Sequence, residues 1–222
     1  MRRPLLYALL FLVPATFLAT ASGDIANSHH NFGKRVSGNQ QQLCNPCHTP
    51  HNASTTELAA PLWNHQTTTA SFTPYVSPTM NASVGQPGGV TKLCLSCHDG
   101  TVAIDSFGGL VGSQTIDYRA KTGVDLTKHH PVSFVYDSAL ASADGELWDP
   151  LTAPSGLGGT IAQDMLRDGR LECSACHDVQ VSRSAGASCT ACHPAHGSGY
   201  SNTLSLWKSN SQSALCLTCH KK

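Results

Sequence analysis

The chain has 222 residues, with 14 Lys and Arg against 14 Asp and Glu, and its formal net charge is zero. Because basic residues are not in excess, nucleic acid and anionic lipid are not expected partners. Aromatic residues make up only 6% of the chain, whereas cysteines number 10 and histidines 12. With so few large side chains available for a core, we expect another group to fill the interior.

The N-terminal residues predict export. Two arginines precede an apolar run from Leu5 to Ala19, and the small residues Ala19 and Ala21 form the pattern that a signal peptidase recognises. The run is shorter than the roughly 20 residues of a membrane-spanning helix, which argues against a membrane anchor. We therefore predict a secretory signal peptide at 1–21 and no membrane span after its cleavage. A ligand-bearing segment at 22–43 follows.

All the cysteines fall in five Cys-x-x-Cys-His frames. The frames comprise Cys44, Cys47 and His48; Cys94, Cys97 and His98; Cys173, Cys176 and His177; Cys189, Cys192 and His193; and Cys216, Cys219 and His220. Two thiols about one helical turn apart can bond both vinyl groups of one porphyrin, and the adjacent imidazole then reaches the iron. The frames predict haem c, five per chain, with the five histidines as proximal ligands. Disulfides and zinc ribbons also use Cys-x-x-Cys pairs, but neither requires the following His.

The histidines outside the frames are the candidate distal ligands. They are His29, His30, His51, His65, His129, His130 and His196. Adjacent histidines point apart, so each of the two adjacent pairs is expected to supply one ligand, which leaves one distal ligand for each iron. Methionine, an alternative ligand, occurs only 3 times. We therefore predict bis-histidine ligation throughout, while the count leaves open which member of each pair binds.

Two distal candidates share an informative spacing. His51 and His196 each stand three residues after a proximal histidine, so both side chains lie on the same face of a turn. The second imidazole therefore cannot cross to the far side of the same porphyrin. We expect it to ligate a neighbouring haem and to hold two haems close together.

The chain is internally repeated. Residues 44–98 and 189–220 each carry a Cys-His-x-x-His sequence, then a Leu-Trp step, then a Leu-Cys-Leu-x-Cys-His frame. We predict two two-haem modules at these positions within one pentahaem cytochrome domain at 44–222, with a central segment that carries the third motif at 173–177. Short helices are predicted at 135–142 and 160–167, and glycine-rich loops at 107–112 and 154–159.

Several motifs together resemble a known family. They are CNPCHTPHNAS at 44–54, PLWNH at 61–65, LCLSCHDG at 93–100, HPVSFVYD at 130–137, and the doubled frame at 189–222. These motifs resemble the doubled-CxxCH multihaem c-type cytochromes of metal-reducing bacteria. The resemblance implies a multihaem cytochrome c fold with low regular secondary structure, in which short helices and loops wrap around five packed haems. It also implies extracytoplasmic electron transfer, and some relatives polymerise into extracellular filaments.

The resemblance also implies particular ligands. In the family one distal ligand precedes an Asn/Asp-aromatic step, which here selects His30, and a later one precedes Pro-Val-Ser-Phe, which selects His130. One position departs from the pattern, because Gln180 stands where the family often has histidine. The assignment of distal ligands to the third and fourth haems therefore stays open.

The sequence favours an electron-transfer protein in the periplasm or on the cell surface, with no catalytic residues. Other redox proteins or extracellular electron acceptors are the expected partners, and a homo-oligomer or filament is the expected assembly, with His30 ligating in cis or in trans. The alternative is a multihaem oxidoreductase that reduces a small oxyanion. Such an enzyme needs one iron with an open position, whereas the histidines here suffice for every sixth site. A haem-stiffened scaffold is a third reading.

Overall fold

The structure, a computed structural model, describes residues 30–32, 44–57, 59–177 and 206–221. Its helices and strands are, in chain order, α1 (Gly89–His98), β1 (Phe134–Val135), α2 (Ser138–Asp144), α3 (Ile161–Asp164) and β2 (Arg170–Leu171). Three short 3₁₀ helices span Cys173–Ala175, Ser211–Ser213 and Cys216–Thr218. The predicted low content of regular secondary structure is confirmed for these residues. The predicted signal peptide and the fourth frame lie outside the described residues.

Helix α1 is the longest helix in the described part of the chain, with 10 residues. It begins after Gly88, which is extended, and Gly100, with φ of 74°, follows its C-cap residue Asp99. Its buried face carries Leu93 and Leu95, which pack into two different apolar clusters. No helix among the described residues is long and apolar enough to cross a membrane.

Helices α2 and α3 lie near the predicted positions but are shorter, and both have N-terminal caps. The Asp137 carboxylate accepts a hydrogen bond from the Leu140 backbone N–H at 2.8 Å, so α2 begins after Asp137. The preceding residues Phe134–Val135 instead form β1. Thr160 and Gln163 form a capping box at the start of α3. The predicted glycine-rich loops at 107–112 and 154–159 contain no helix or strand.

The largest apolar cluster lies between the short elements of the second half of the chain. Strands β1 and β2 pair antiparallel, with Phe134 opposite Leu171. Their buried side chains pack with the fully buried Ile161 of α3, with Met165 and with Leu215. Because Leu215 directly precedes the fifth frame, this cluster, which we call the main core, positions the C-terminal attachment motif.

Candidate haem-attachment sites

The four described frames share one backbone geometry. The second frame occupies the last turn of α1. In the other three, the backbone N–H of the frame histidine donates a hydrogen bond to the backbone carbonyl of the first cysteine. The N···O distances are 2.8 Å for His48, 3.1 Å for His177 and 3.0 Å for His220. A helical turn of this kind brings two thiols and the following imidazole to one side of the chain. This is the arrangement that attachment to one porphyrin requires.

Two proximal histidines are oriented by backbone carbonyls. The Nδ1 atom of His48 lies 2.7 Å from the carbonyl oxygen of Pro61, and that of His98 lies 2.7 Å from the carbonyl oxygen of Ala120. A carbonyl only accepts hydrogen bonds, so Nδ1 carries the proton in both rings. The other nitrogen, Nε2, is thereby left as the metal-binding atom, as in other ligating histidines held by a second hydrogen bond.

Two predicted distal histidines lie opposite predicted proximal ones. The ring centroids of His30 and His98 are 6.0 Å apart, and those of His130 and His220 are 6.3 Å apart. Two imidazoles that ligate one metal from opposite sides, with metal–nitrogen bonds of about 2.0 Å and ring radii of about 1.1 Å, have centroids about 6 Å apart. Each pair could therefore hold one metal ion between its two rings. His129 and His130 are both exposed, so the ring contact with His220, not burial, singles out His130.

His65 lies beside the second frame. Only 5% of its surface is exposed, and burial lowers the pKa of its imidazole, which favours the neutral form that a metal binds. Its Nε2 atom is 3.5 Å from the sulfur of Cys97 and 3.1 Å from the carbonyl oxygen of Ala103. The structure thus brings His65 to an attachment cysteine, and the ring of Trp63 contacts both His65 and His48.

His51 has a different environment. Its side chain is exposed and lines a groove of about 480 Å³ together with Asn45 and Phe107. The Thr49 hydroxyl donates to the His51 backbone carbonyl at 2.9 Å, which holds the loop after the first frame. His51 therefore lies at the edge of a groove large enough for a sizeable group. The remaining predicted site residues lie outside the described part of the chain, namely His29, Cys189, Cys192, His193 and His196.

The described attachment frames lie near one another. The first and second meet where Cys47 packs against the cluster of Ala60, Trp63 and Leu93. The second and third meet where the Cys173 backbone N–H donates to the hydroxyl of Thr91 in α1 at 3.1 Å. For the third and fifth, Cys176 and Cys219 both pack against the main core.

Four of the eight described thiols are shielded from water, whereas Cys44 and Cys216 are exposed. Burial raises the pKa of Cys47, Cys97 and Cys219 to about 12 and that of Cys176 to about 11. A thiol of such pKa is neutral at physiological pH and is a poor metal ligand. The eight described cysteines form no disulfide with one another. Neutral thiols in an apolar environment suit the thioether attachment of a porphyrin.

Two buried polar atoms beside the frames test the fit of haem independently. The indole Nε1 of Trp63 and the hydroxyl of Ser174 are buried and have no hydrogen-bond partner among the described residues. Trp63 stands next to His48, and Ser174 lies inside the third frame. Buried polar atoms are rarely left unpaired in proteins, so each points to a group with acceptors at that position. The residues present therefore fit haem c.

One constellation beside the frames is absent from the sequence-based predictions. Glu172, Ser133 and Thr91 are at most 2% exposed and are joined by hydrogen bonds. The sequence carries one signal for it, a glutamate directly before Cys173. Its partners are distant in sequence, and spacing does not indicate them.

A comparison with protein families agrees with this geometry. The family model described as the doubled CXXCH motif matches residues 182–222. The chain carries a c-type haem motif. The matched segment contains the fourth and fifth frames, and the doubled motif implies covalently bound haem c and electron transfer. No curated protein matches the chain.

Proposed function

We propose that the chain is an exported electron-transfer protein that binds five haems c, each ligated by two histidines. The observation that carries this proposal is the separation of 6.0 Å and 6.3 Å within two pairs of imidazoles, each of which joins a frame histidine to a histidine outside the frames. Haem c, when bound, supplies an iron that accepts and releases one electron. Two permanent imidazole ligands suit this role because they leave no position for substrate.

Each pair has a defined role in the proposal. His98 and His30 ligate the iron of the second frame, and His220 and His130 that of the fifth. In the second frame the Ala120 carbonyl orients the proximal ring. In the fifth, His130 Nδ1 lies 2.8 Å from the Pro131 carbonyl oxygen, which leaves Nε2 for the metal. The other three distal ligands are His51, His65 and His196.

The assembly follows from the position of His30. Its ring faces His98 of the same chain, which supports ligation in cis. In the alternative assembly, His30 ligates a haem of the next chain and so joins the chains into a filament. If His30 ligates within its own chain, an extracellular filament would need a different contact between chains. The proposed partners are other redox proteins or extracellular electron acceptors, which such a protein meets in the periplasm or on the cell surface.

One observation favours a second function, reduction of a small oxyanion. His51 is exposed beside a groove of about 480 Å³. If His51 does not ligate, one iron near this groove is open to substrate.

Two measurements on the purified protein test the proposal. Mass spectrometry of the denatured mature chain is expected to show about five haem masses added to the polypeptide. Addition of carbon monoxide to the reduced protein is expected to leave the absorbance spectrum unchanged, because no iron has an open position. A mass with fewer haems contradicts the five-haem count. A spectral shift with carbon monoxide instead supports the oxyanion reductase.

A further inference from the structure

A cluster of buried polar side chains lies where the second and third frames meet. We call Thr91, Ser133 and Glu172 the junction cluster. Their exposed fractions are 0%, 1% and 2%, in that order. Thr91 belongs to α1, which ends in the second frame, and Glu172 directly precedes the third frame. The cluster thus joins the two chain segments that carry these frames.

The Glu172 carboxylate is the centre of the cluster. Its Oε2 atom accepts hydrogen bonds from the Thr91 backbone N–H at 3.2 Å and from the Ser133 hydroxyl at 2.8 Å. Its Oε1 atom lies 3.5 Å from Nε of Arg170, whose guanidinium also donates to the Ser133 carbonyl. Both carboxylate oxygens therefore have partners, from three different segments. A buried carboxylate with this many partners has little freedom to move.

The cluster continues directly into the third attachment turn. The backbone N–H of Cys173 donates to the Thr91 hydroxyl at 3.1 Å. Thr91 therefore donates to Glu172 through its backbone and accepts from Cys173 through its side chain. Cys94, the first cysteine of the second frame, lies one turn further along α1. The junction cluster therefore holds the backbone of the third frame against the helix that carries the second frame.

The backbone around the cluster is shaped to fit it. Ser133 has a φ of 61°, which is rare for a residue other than glycine, and its hydroxyl also contacts both the N–H and the carbonyl of Gly88. Gly89 has a φ of 51°, and a Cβ atom there would lie 3.1 Å from Glu172 Oε1. A strained conformation persists only where the surroundings enforce it. The junction cluster is therefore a specific arrangement with little tolerance for displacement.

We propose that Glu172 is a positioning residue that holds the second and third attachment frames in contact, so that electrons pass directly between the cofactors attached at Cys94 and Cys173. This inference rests on the proposed electron-transfer function and adds the central step of its route. The first frame packs near the second through the cluster of Ala60, Trp63 and Leu93, and the third and fifth frames pack against the main core. Among the described frames, the junction therefore connects the first and second with the third and fifth.

The test uses the haem-loaded, full-length mature protein and two conservative variants. Glu172→Gln keeps the shape but replaces one accepting oxygen by an amide that donates, which opposes the N–H and O–H donors around it. Glu172→Asp keeps the carboxylate but shortens its reach. The matched control is Glu57→Gln, because Glu57 also pairs with a cation, Lys92 of α1, at 3.6 Å, and its loss removes the same charge from a more exposed site.

Two readouts report on the junction itself. The exciton couplet in the Soret circular dichroism depends on the distance and orientation of neighbouring porphyrins. Flash photoreduction gives the rate at which an injected electron redistributes. In Glu172→Gln we expect a weaker couplet and redistribution slower by about ten-fold or more, since small displacements strongly affect reactions that depend on geometry. The couplet and the redistribution rate of Glu172→Asp should lie between those of Glu172→Gln and wild type. Those of Glu57→Gln should equal the wild-type values.

A double-mutant cycle assigns the effect to this junction. Replacing Cys173 and Cys176 by alanine removes the third attachment, and Glu172→Gln on that background should then cause no further change in the couplet. The proposal is overturned if Glu172→Gln has the couplet and the redistribution rate of wild type. It is also overturned if Glu172→Gln weakens the couplet on the double-alanine background as much as it does in the wild-type background. If Glu172→Gln fails to mature, Glu172→Asp decides by the same criteria. A haem count below five contradicts the proposed function but not the junction proposal. The couplet and rate measurements require haem only at the second and third frames.

Discussion

At the scale of single residues, the orientation of an imidazole decides whether it can ligate. His48 and His98 each have Nδ1 directed at a backbone carbonyl, so Nε2 is the nitrogen of each ring that could bind a metal. His65 is held differently, since both of its nitrogens lie within 3.1 Å of backbone carbonyl oxygens. To ligate an iron, His65 must give up its contact with Ala103. The proximal ligands are thus more completely pre-oriented than this distal candidate.

His130 and its neighbour provide a matched pair of substitutions. We expect His130→Ala to convert one low-spin iron to a high-spin or water-ligated form without loss of covalent haem, because its ring faces His220. His129→Ala should leave the spectrum unchanged, since both residues are exposed and it is the ring of His130, not that of His129, that lies 6.3 Å from the ring of His220. Electron paramagnetic resonance of the oxidised protein distinguishes the two forms. The reverse result would make His129 the ligand.

His51 and His196 carry a second prediction at this scale. Each stands three residues after a proximal histidine in the sequence, a spacing that predicts ligation of a neighbouring haem. His51→Ala and His196→Ala should each convert one iron to a high-spin or water-ligated form, measured by optical absorbance, with the haem mass retained. An unchanged low-spin spectrum in either variant would identify that histidine as a surface residue.

At the scale of elements, very short helices and strands position the third and fifth attachment frames by packing into the main core. Strand β2 leads directly to Glu172 and the third frame, and Leu215 leads into the fifth. The elements are too short to be stable alone, so their conformation depends on this packing. Side-chain caps at α2 and α3 set where these helices begin.

A core substitution tests this dependence. Ile161 is fully buried in the main core, whereas Leu151 is 63% exposed. We expect Ile161→Ala to lower the free energy of unfolding by about 2–5 kcal/mol, because it removes buried apolar contacts and leaves a cavity. The control Leu151→Ala should change it by less than about 0.5 kcal/mol. Urea unfolding of the haem-loaded protein, followed by far-ultraviolet circular dichroism, measures both. Equal effects would mean that haem, rather than the main core, holds this region.

At the scale of the whole molecule, the path of adjoining frames and the assembly are linked. Among the described frames, the first lies near the second and the second near the third, and the third and fifth pack against the main core. In the proposal, the second frame is completed within the chain by His30, which stands ahead of the predicted cytochrome domain and whose ring lies 6.0 Å from that of His98. A ligand supplied in cis leaves each chain able to fill this site without a partner. A ligand supplied in trans would link chains head to tail.

Sedimentation of wild type and His30→Ala separates these two assemblies. With ligation in cis, both proteins should sediment alike, while His30→Ala gains one water-ligated or five-coordinate haem. A wild-type polymer that dissociates to monomers in His30→Ala would instead establish ligation in trans. The spectral change in His30→Ala is expected for ligation in cis and in trans alike. The sedimentation of wild type compared with that of His30→Ala therefore distinguishes the two.

The haem chemistry was predictable from the sequence because it is local. Five adjoining residues hold two thiols and an imidazole in one turn, whatever surrounds them, so each frame identifies its cofactor by itself. The low content of regular structure was also predictable, from the family resemblance. The exact helix bounds were not, because Phe134–Val135 pairs with a strand distant in sequence and shortens the helix expected at 135–142.

The tertiary structure alone decided which groups meet. The sequence listed seven histidines for the distal positions, but the pairing of His30 with His98 and of His130 with His220 joins segments far apart in the chain. The junction cluster around Glu172 likewise draws its partners from three segments. Spacing in sequence reports only on neighbours within a turn or a strand. Contacts between distant segments depend on how the apolar clusters pack, and the order of the frames in space therefore came from the fold.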